Sequence, residues 1–226
     1  MAPAFLMSET SSARFQGLLG KPLAAAARIV DLLHLRAGHE VYAGDEGGRG
    51  VSTLLKRHLK IDTDVFHLAF RGKGGKHIDK TCDDPLLYAA LKELRSYPGA
   101  RLFKLKTNDG FRPMTAADLN QYLARNSGKP ITAKDFRTLF ASSIALSALQ
   151  YLERPTTTVV ARRAVAAVAR KISIELANTP AVTRGSYIHP RIIERFEKGE
   201  LGLFSDSQKK RGLSVAESRL MTFLQT

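Results

Sequence analysis

What most constrains the folding of this chain is its punctuation by helix-start signals. Thr115 with Asp118, Thr132 with Asp135 and Ser214 with Glu217 each have capping-box spacing, in which a hydroxyl and an acid satisfy two orphan backbone donors reciprocally. Asp84-Pro85 is a further start, Asp as the cap and Pro at the first helical position. Pro22 opens another, followed by an apolar stripe of Leu23, Ala26, Ala27, Val30, Leu33 and Leu35. The pattern predicts helices from Pro22, from Pro85 to Ser96 before Pro98-Gly99, and after Thr115 and Thr132. It also predicts a well-buried helix over the Ala- and Val-rich segment Val159 to Leu176, and helices over Tyr187 to Lys198 and Ser214 to Leu224. A short helix around Thr53 to Leu59 is expected after a Gly-rich turn, Gly44 to Gly50.

Only one stretch reads as β structure. Val65 to Phe70 is a strand candidate, Lys76 to Lys80 its return, and Arg71-Gly72-Lys73-Gly74-Gly75 the flexible turn between them. The fold class expected is α+β, predominantly helical, with a small antiparallel β element. Residues 1–20 lack periodicity and read as a leader or linker remnant, leaving 21–226 as one domain.

Charge narrows the partners. With 35 Lys+Arg against 21 Asp+Glu the net charge is +14, which favours a polyanion through phosphate neutralisation and counterion release. Clusters such as Lys56-Arg57-His58, Arg71 to Lys76 and Lys209-Lys210-Arg211 are individually ordinary surface charge. The single Cys82 excludes an internal disulfide and a Cys-based zinc site. Arg28 and Asp31 interrupt the longest apolar run, Leu23 to Leu33, so no membrane span is expected, and the seven residues to Met7 are too short for a signal peptide. The location expected is cytoplasmic, on the nucleoid. Gly72-Lys73 lacks the spacing of a phosphate-binding loop, the six His include no HExxH, and GxSxG is missing, so no nucleotide, metal or other cofactor is expected. Ser142-Ser143 sits in an apolar helical run and reads as packing.

Four strings stand out in order: Leu35-Arg36-Ala37-Gly38-His39-Glu40-Val41-Tyr42, Phe70-Arg71-Gly72-Lys73-Gly74-Gly75-Lys76, Thr132-Ala133-Lys134-Asp135-Phe136-Arg137-Thr138, and Ala177-Asn178-Thr179-Pro180 running to Ser186-Tyr187-Ile188-His189-Pro190. Together they resemble the catalytic domain of type IB DNA topoisomerases of the bacterial and poxvirus kind, over residues 20 to 225. The resemblance implies a tyrosine recombinase/topoisomerase IB-like core that works as a monomer on double-stranded DNA, relaxing supercoils without ATP or metal. Tyr187 would be the nucleophile that forms a 3′-phosphotyrosyl bond. Arg36 and Arg137 would hold the non-bridging oxygens, Lys73 would protonate the 5′-oxygen, and Asn178 would donate to the phosphate where relatives often have His. Lys76, Lys134 and Arg184 would contact DNA.

The residue types suit that chemistry in their own right. A phosphoryl transition state spreads negative charge over its equatorial oxygens, which a guanidinium fork matches with two fixed donors. A leaving alkoxide needs a proton, and Lys, ordinarily near pKa ~10.4, supplies one when neighbouring cations lower that value. Tyr, ordinarily near ~10, becomes a nucleophile where cations favour its phenolate. Each residue also has a purely structural reading. Tyr187 is then a half-buried packing aromatic, Asn178 a turn residue, Arg137 a surface charge, Arg36 a partner of Glu40 and Lys73 a solvated turn residue. Their co-occurrence in one order is what singles them out.

Two departures from the family pattern stand out. No counterpart of its N-terminal, largely β domain is expected in the first twenty residues, a reading that implies half a clamp, weaker binding and a greater reliance on low salt. Thr138-Leu139-Phe140-Ala141-Ser142 stands where a Trp and small residues often follow the Arg. The competing readings are a tyrosine recombinase, against which Lys134-Asp135-Phe136-Arg137 argues, and a truncated DNA-binding remnant without turnover.

Overall fold

Helix α1 (Pro22–Leu33) starts where Pro22 presets the first turn and ends at His34, which takes a left-handed conformation with φ 54°. Its four consecutive alanines, Ala24 to Ala27, are all buried, so α1 lies close against its neighbours. These are α2 (Pro85–Ser96) and α3 (Ala116–Ser127). The structure is a computed structural model, and it describes residues 21–43, 48–204, 210 and 212–226. The leader expected over 1–20, part of the turn 44–50 and two members of the Lys209-Lys210-Arg211 cluster lie outside the described residues.

The chain forms two compact units, the first running to Lys134 and the second from Asp135 to Thr226. In the first, β1 (Leu59–Ile61), β2 (Phe66–Arg71) and β3 (His77–Cys82) form an antiparallel sheet in that order. Phe66 pairs with Cys82 and Arg71 with His77. β2 alternates as a half-buried strand must, with Phe66, Leu68 and Phe70 inside and Ala69 and Arg71 outside. Asp84 caps α2 as expected, accepting from the Leu87 amide at 2.8 Å. The Thr115 capping box is closed in both directions, with Asp118 also gripped by Arg112 at 2.7 and 2.8 Å.

The second unit is helical. It holds α4 (Ala133–Leu149), whose first two residues belong to the first unit, then α5 (Thr158–Glu175), α6 (Pro180–Ser186), α7 (Pro190–Glu197) and α8 (Val215–Gln225). The Ser214 capping box opens α8. α8 is tied to α4 by Arg219, whose Nη1 donates to the Ser147 hydroxyl at 3.1 Å.

Four sequence expectations need correction. Residues 53–59 are not one helix but two 3-10 turns, Val51–Thr53 and Lys56–His58, followed by β1. Leu54 and Leu55 are extended between them because their backbone is paired elsewhere. Leu102 donates to the Leu54 carbonyl at 3.0 Å, Lys56 to Ala100 at 2.9 Å, and Leu55 bridges Arg101, so long-range pairing overrides local helical pattern. Second, α5 is buried on one face only: Ala161, Val165, Val168, Ala169 and Ile172 face inward, while Val159, Val160 and Ile174 are exposed. Third, the helix expected over 187–198 begins at Pro190, and Tyr187 closes α6 instead. Fourth, β structure exceeds one hairpin: β1 joins the sheet, and β4 (Lys104–Thr107) pairs antiparallel with β5 (Gly110–Pro113). Asn108-Asp109-Gly110 was the available turn signal for that second hairpin.

Candidate active site

Arg36 and Lys73 are far apart in sequence and are joined by a strap, residues 48–52. Its Val51 and Ser52 amides donate to the carbonyls of Arg36 (2.9 Å) and Ala37 (2.7 Å), and the Ser52 hydroxyl donates to Gly38 at 3.0 Å. Its other side meets the hairpin, where the Arg49 amide donates to the Arg71 carbonyl at 2.9 Å. The contact is so close that a Cβ on Gly50 would stand 2.5 Å from the Arg36 carbonyl oxygen, and one on Gly48 would stand 2.4 Å from the Lys73 Cα. Both positions therefore require glycine. The hairpin turn itself is closed by the Gly72 amide on the Lys76 carbonyl at 2.7 Å, with Gly74 and Gly75 at positive φ and Lys73 exposed.

The surroundings are cationic. His58, whose ring lies 6.0 Å from that of Phe70 on β2, is pushed down to about 4 by burial, with Arg49 and Arg57 adding to the effect. It is thus neutral near pH 7 and leaves the positive charge to the arginines and lysines. Glu40 is not given over to Arg36 as its i+4 spacing suggested, since it pairs with Arg101.

In the second unit Arg137 meets Tyr187 and the carbonyl of Leu176, two residues before Asn178. Arg137 on α4 is no surface charge. It is only 3% exposed, its Nη2 donates to the Leu176 carbonyl at 2.9 Å, and its guanidinium lies 5.0 Å from the centre of the Tyr187 ring. Leu176 ends α5, and the chain leaves the helix by a Schellman motif. The Ala177 amide donates to Ile174 at 3.1 Å and the Asn178 amide to Ser173 at 2.9 Å. Asn178 is then followed at once by Thr179, which caps α6 on the Val182 amide at 3.2 Å, and by Pro180 at its first turn. Two helix ends in succession hold Asn178, itself 5% exposed.

Ala177 occupies the left-handed position of that motif with φ 47°, where Gly199 serves the equivalent turn after α7. A residue with a Cβ is penalised there by about 1–2 kcal/mol, partly offset because glycine loses about 0.5–1 kcal/mol more in chain entropy. Ala177→Gly is therefore expected to raise stability by a few tenths to about 1 kcal/mol in urea denaturation. A drop in stability would show that the Ala177 methyl contributes packing that outweighs the strain.

Tyr187 is buried, with 5% exposure, at the C-cap of α6. Its amide and that of Ile188 both donate to the Thr183 carbonyl, at 3.1 and 3.2 Å. The Ser142 hydroxyl of α4 donates to the Tyr187 carbonyl at 3.1 Å and accepts from the His189 amide at 2.9 Å. His189 in turn caps α7, accepting from the Arg191 amide at 3.3 Å, and burial, with Arg191 adding, holds its imidazole below the ordinary histidine range.

Residues 11–210 match the family described as eukaryotic DNA topoisomerase I, catalytic core. The chain belongs to the DNA topoisomerase I family. It is 30% identical over 172 residues to DNA topoisomerase 1B of Acanthamoeba polyphaga mimivirus, an alignment covering 73% of this chain and 51% of that protein. The chain thus spans about half the length of the curated relative it matches.

In this topoisomerase-family chain the sequence-derived residues fall into two groups. Arg36, Lys73 and Lys76 stand around the glycine strap of the first unit, and Arg137, Asn178 and Tyr187 around α4 and α5 of the second. Lys134 is the last residue of the first unit, exposed on the first turn of α4. Arg184 is exposed on α6 and faces Glu197 at 3.8 Å, which offsets part of its charge. Among the described residues no three His, Cys, Asp or Glu side chains are grouped as metal ligands, and no helix is long and apolar enough to cross a membrane. Sequence reading missed Ser142, His189, Gly48 and Gly50. The glycines lay in a visible Gly-rich turn, but nothing local marked which backbones they would meet.

Proposed function

We propose that this chain relaxes supercoiled DNA by breaking and rejoining one strand through a 3′-phosphotyrosyl intermediate. The observation that carries the reading is Arg137, buried with its guanidinium over the Tyr187 ring, in a chain of the topoisomerase I family. The Tyr187 hydroxyl gives up its proton to water as it attacks a DNA phosphorus, the bond to the 5′-oxygen breaks, and Lys73 gives that oxygen its proton. Arg36 and Arg137 hold the non-bridging oxygens, and the Asn178 amide adds a neutral donor. In religation the 5′-hydroxyl returns the proton to Lys73 and attacks the phosphotyrosine, and the departing phenolate takes a proton from water, restoring the strand and the tyrosine. The ester keeps the energy of the broken bond, so the cycle balances without ATP. Lys76, Lys134 and Arg184 contact the duplex backbone, and the net charge of +14 supports a polyanionic partner. Cutting one strand takes one nucleophile, so a monomer suffices, and DNA in the cytoplasmic nucleoid is the location that fits.

The test is supercoiled plasmid at low salt, in EDTA and without ATP, with covalent adducts trapped by detergent. Relaxation together with a protein–DNA adduct is the expected result. Plasmid binding with neither relaxation nor adduct would overturn the reading and leave a DNA-binding module.

A further inference from the structure

We propose that Ser142 is a positioning residue that sets the nucleophile through its backbone, an inference that rests on reading Tyr187 as that nucleophile. A serine inside a helix commonly turns its hydroxyl back to a carbonyl one turn earlier, as Ser143 does to Phe140 at 2.9 Å. Ser142, 2% exposed, instead directs both capacities of its hydroxyl out of α4 to a single three-residue segment. It donates to the Tyr187 carbonyl at 3.1 Å and accepts from the His189 amide at 2.9 Å. Those two groups mark the break between α6 and α7, where neither helix ladder continues.

The same helix reaches the ring of Tyr187. Arg137, five residues before Ser142 on α4, lies over the ring face at 5.0 Å. One rigid element thus holds the tyrosine twice, by the ring from one residue and by the backbone from the other. This ties the phenol to the guanidinium that the proposed chemistry needs beside it. Ser142 never touches the reacting atoms. Its effect is expected in the chemical step, since misplacement of a reacting group by a fraction of an ångström lowers rate more than it lowers binding.

The experiment follows adduct formation on supercoiled plasmid with enzyme in excess, for the full chain and for Ser142→Ala, Ser142→Thr and Ser143→Ala, alongside duplex Kd and Tm. Ser142→Ala is expected to slow adduct formation roughly 10- to 100-fold at saturating enzyme with Kd little changed. Ser142→Thr, which keeps the hydroxyl, is expected to recover most of the parent rate. Ser143→Ala removes an equally buried hydroxyl that bonds only within its helix, and is expected to react like the parent. A parent-like rate for Ser142→Ala would overturn the proposal. So would a Ser142→Thr variant as slow as Ser142→Ala at parental Tm, or equal losses of rate, binding and Tm in Ser142→Ala and Ser143→Ala. If the parent itself formed no adduct, the topoisomerase reading would fall first, an outcome separate from all of these.

Discussion

Tyr187→Phe is expected to abolish the covalent protein–DNA adduct and plasmid relaxation together, while duplex binding and Tm stay near those of the parent. The substitution removes one oxygen and little else. Phe retains the ring face over which the Arg137 guanidinium sits at 5.0 Å, and a cation over Phe keeps most of that attraction. Two contacts that help place residue 187 are made to its backbone, by Ser142 on its carbonyl and by its own amide on Thr183, and do not depend on the hydroxyl. Phosphate contacts dominate affinity for DNA, so binding should survive. The attacking atom does not, and without it the proposed phosphotyrosyl ester cannot form. The checks are a detergent-trapped adduct assay and a relaxation time course, with Tyr151→Phe, altering an exposed tyrosine of the same unit, as the control. A Tyr187→Phe protein that still formed the adduct would place the nucleophile elsewhere.

The second large effect is on stability. Asp84→Ala is expected to destabilise the protein by about 3–5 kcal/mol, because it removes both one half of a buried ion pair and the cap of α2. Arg28 and Asp84 pair with side chains only 9% and 14% exposed, through Nε to Oδ1 at 2.9 Å and through a second, shorter contact of Nη2 with Oδ2. The same carboxylate caps α2 on the Leu87 amide at 2.8 Å, so one side chain closes a helix end and pins α1 to α2. Burial pushes the Asp84 carboxyl up, but the bonds from Arg28 and Leu87 outweigh it and hold it below the usual aspartate range. Its contribution to stability is therefore complete above the ordinary aspartate pKa and lost as pH falls through the depressed folded value. Urea denaturation from neutral to acid pH checks both parts, since the variant should lose this portion of the acid dependence. Arg28→Met with Asp84→Ser keeps a cap and removes both charges, and is expected to recover most of the loss. A deficit under about 1 kcal/mol for Asp84→Ala would mean that the pair behaves like an exposed one.

Much of this protein was legible without coordinates, for a reason particular to its helices. Asp84, Thr115 and Ser214 cap by bonding amides three residues ahead, so their effect is decided inside four or five residues of chain. The alternation of Phe66, Leu68 and Phe70 is equally local, and the glycines after Lys73 announce the turn between β2 and β3. Candidate reactive residues could be named because guanidinium, ammonium and phenol suit phosphoryl chemistry and because their order in the chain resembled a family.

Tertiary structure decided what depends on partners distant in sequence. The stretch from Thr53 to Leu59 carries a helical pattern, yet residues 100–102 claim its backbone and extend it. Arg137 has the spacing of a surface arginine, and only the arrival of Leu176 and Tyr187 makes it a buried one. Ser142 looked like packing until its two hydrogen bonds met residues 187 and 189. Gly48 and Gly50 are required not by their own turn but by the Lys73 and Arg36 backbones that close over them. Capping and alternation act within one turn of chain and are written in the local sequence, whereas burial and close approach exist only once distant segments have met.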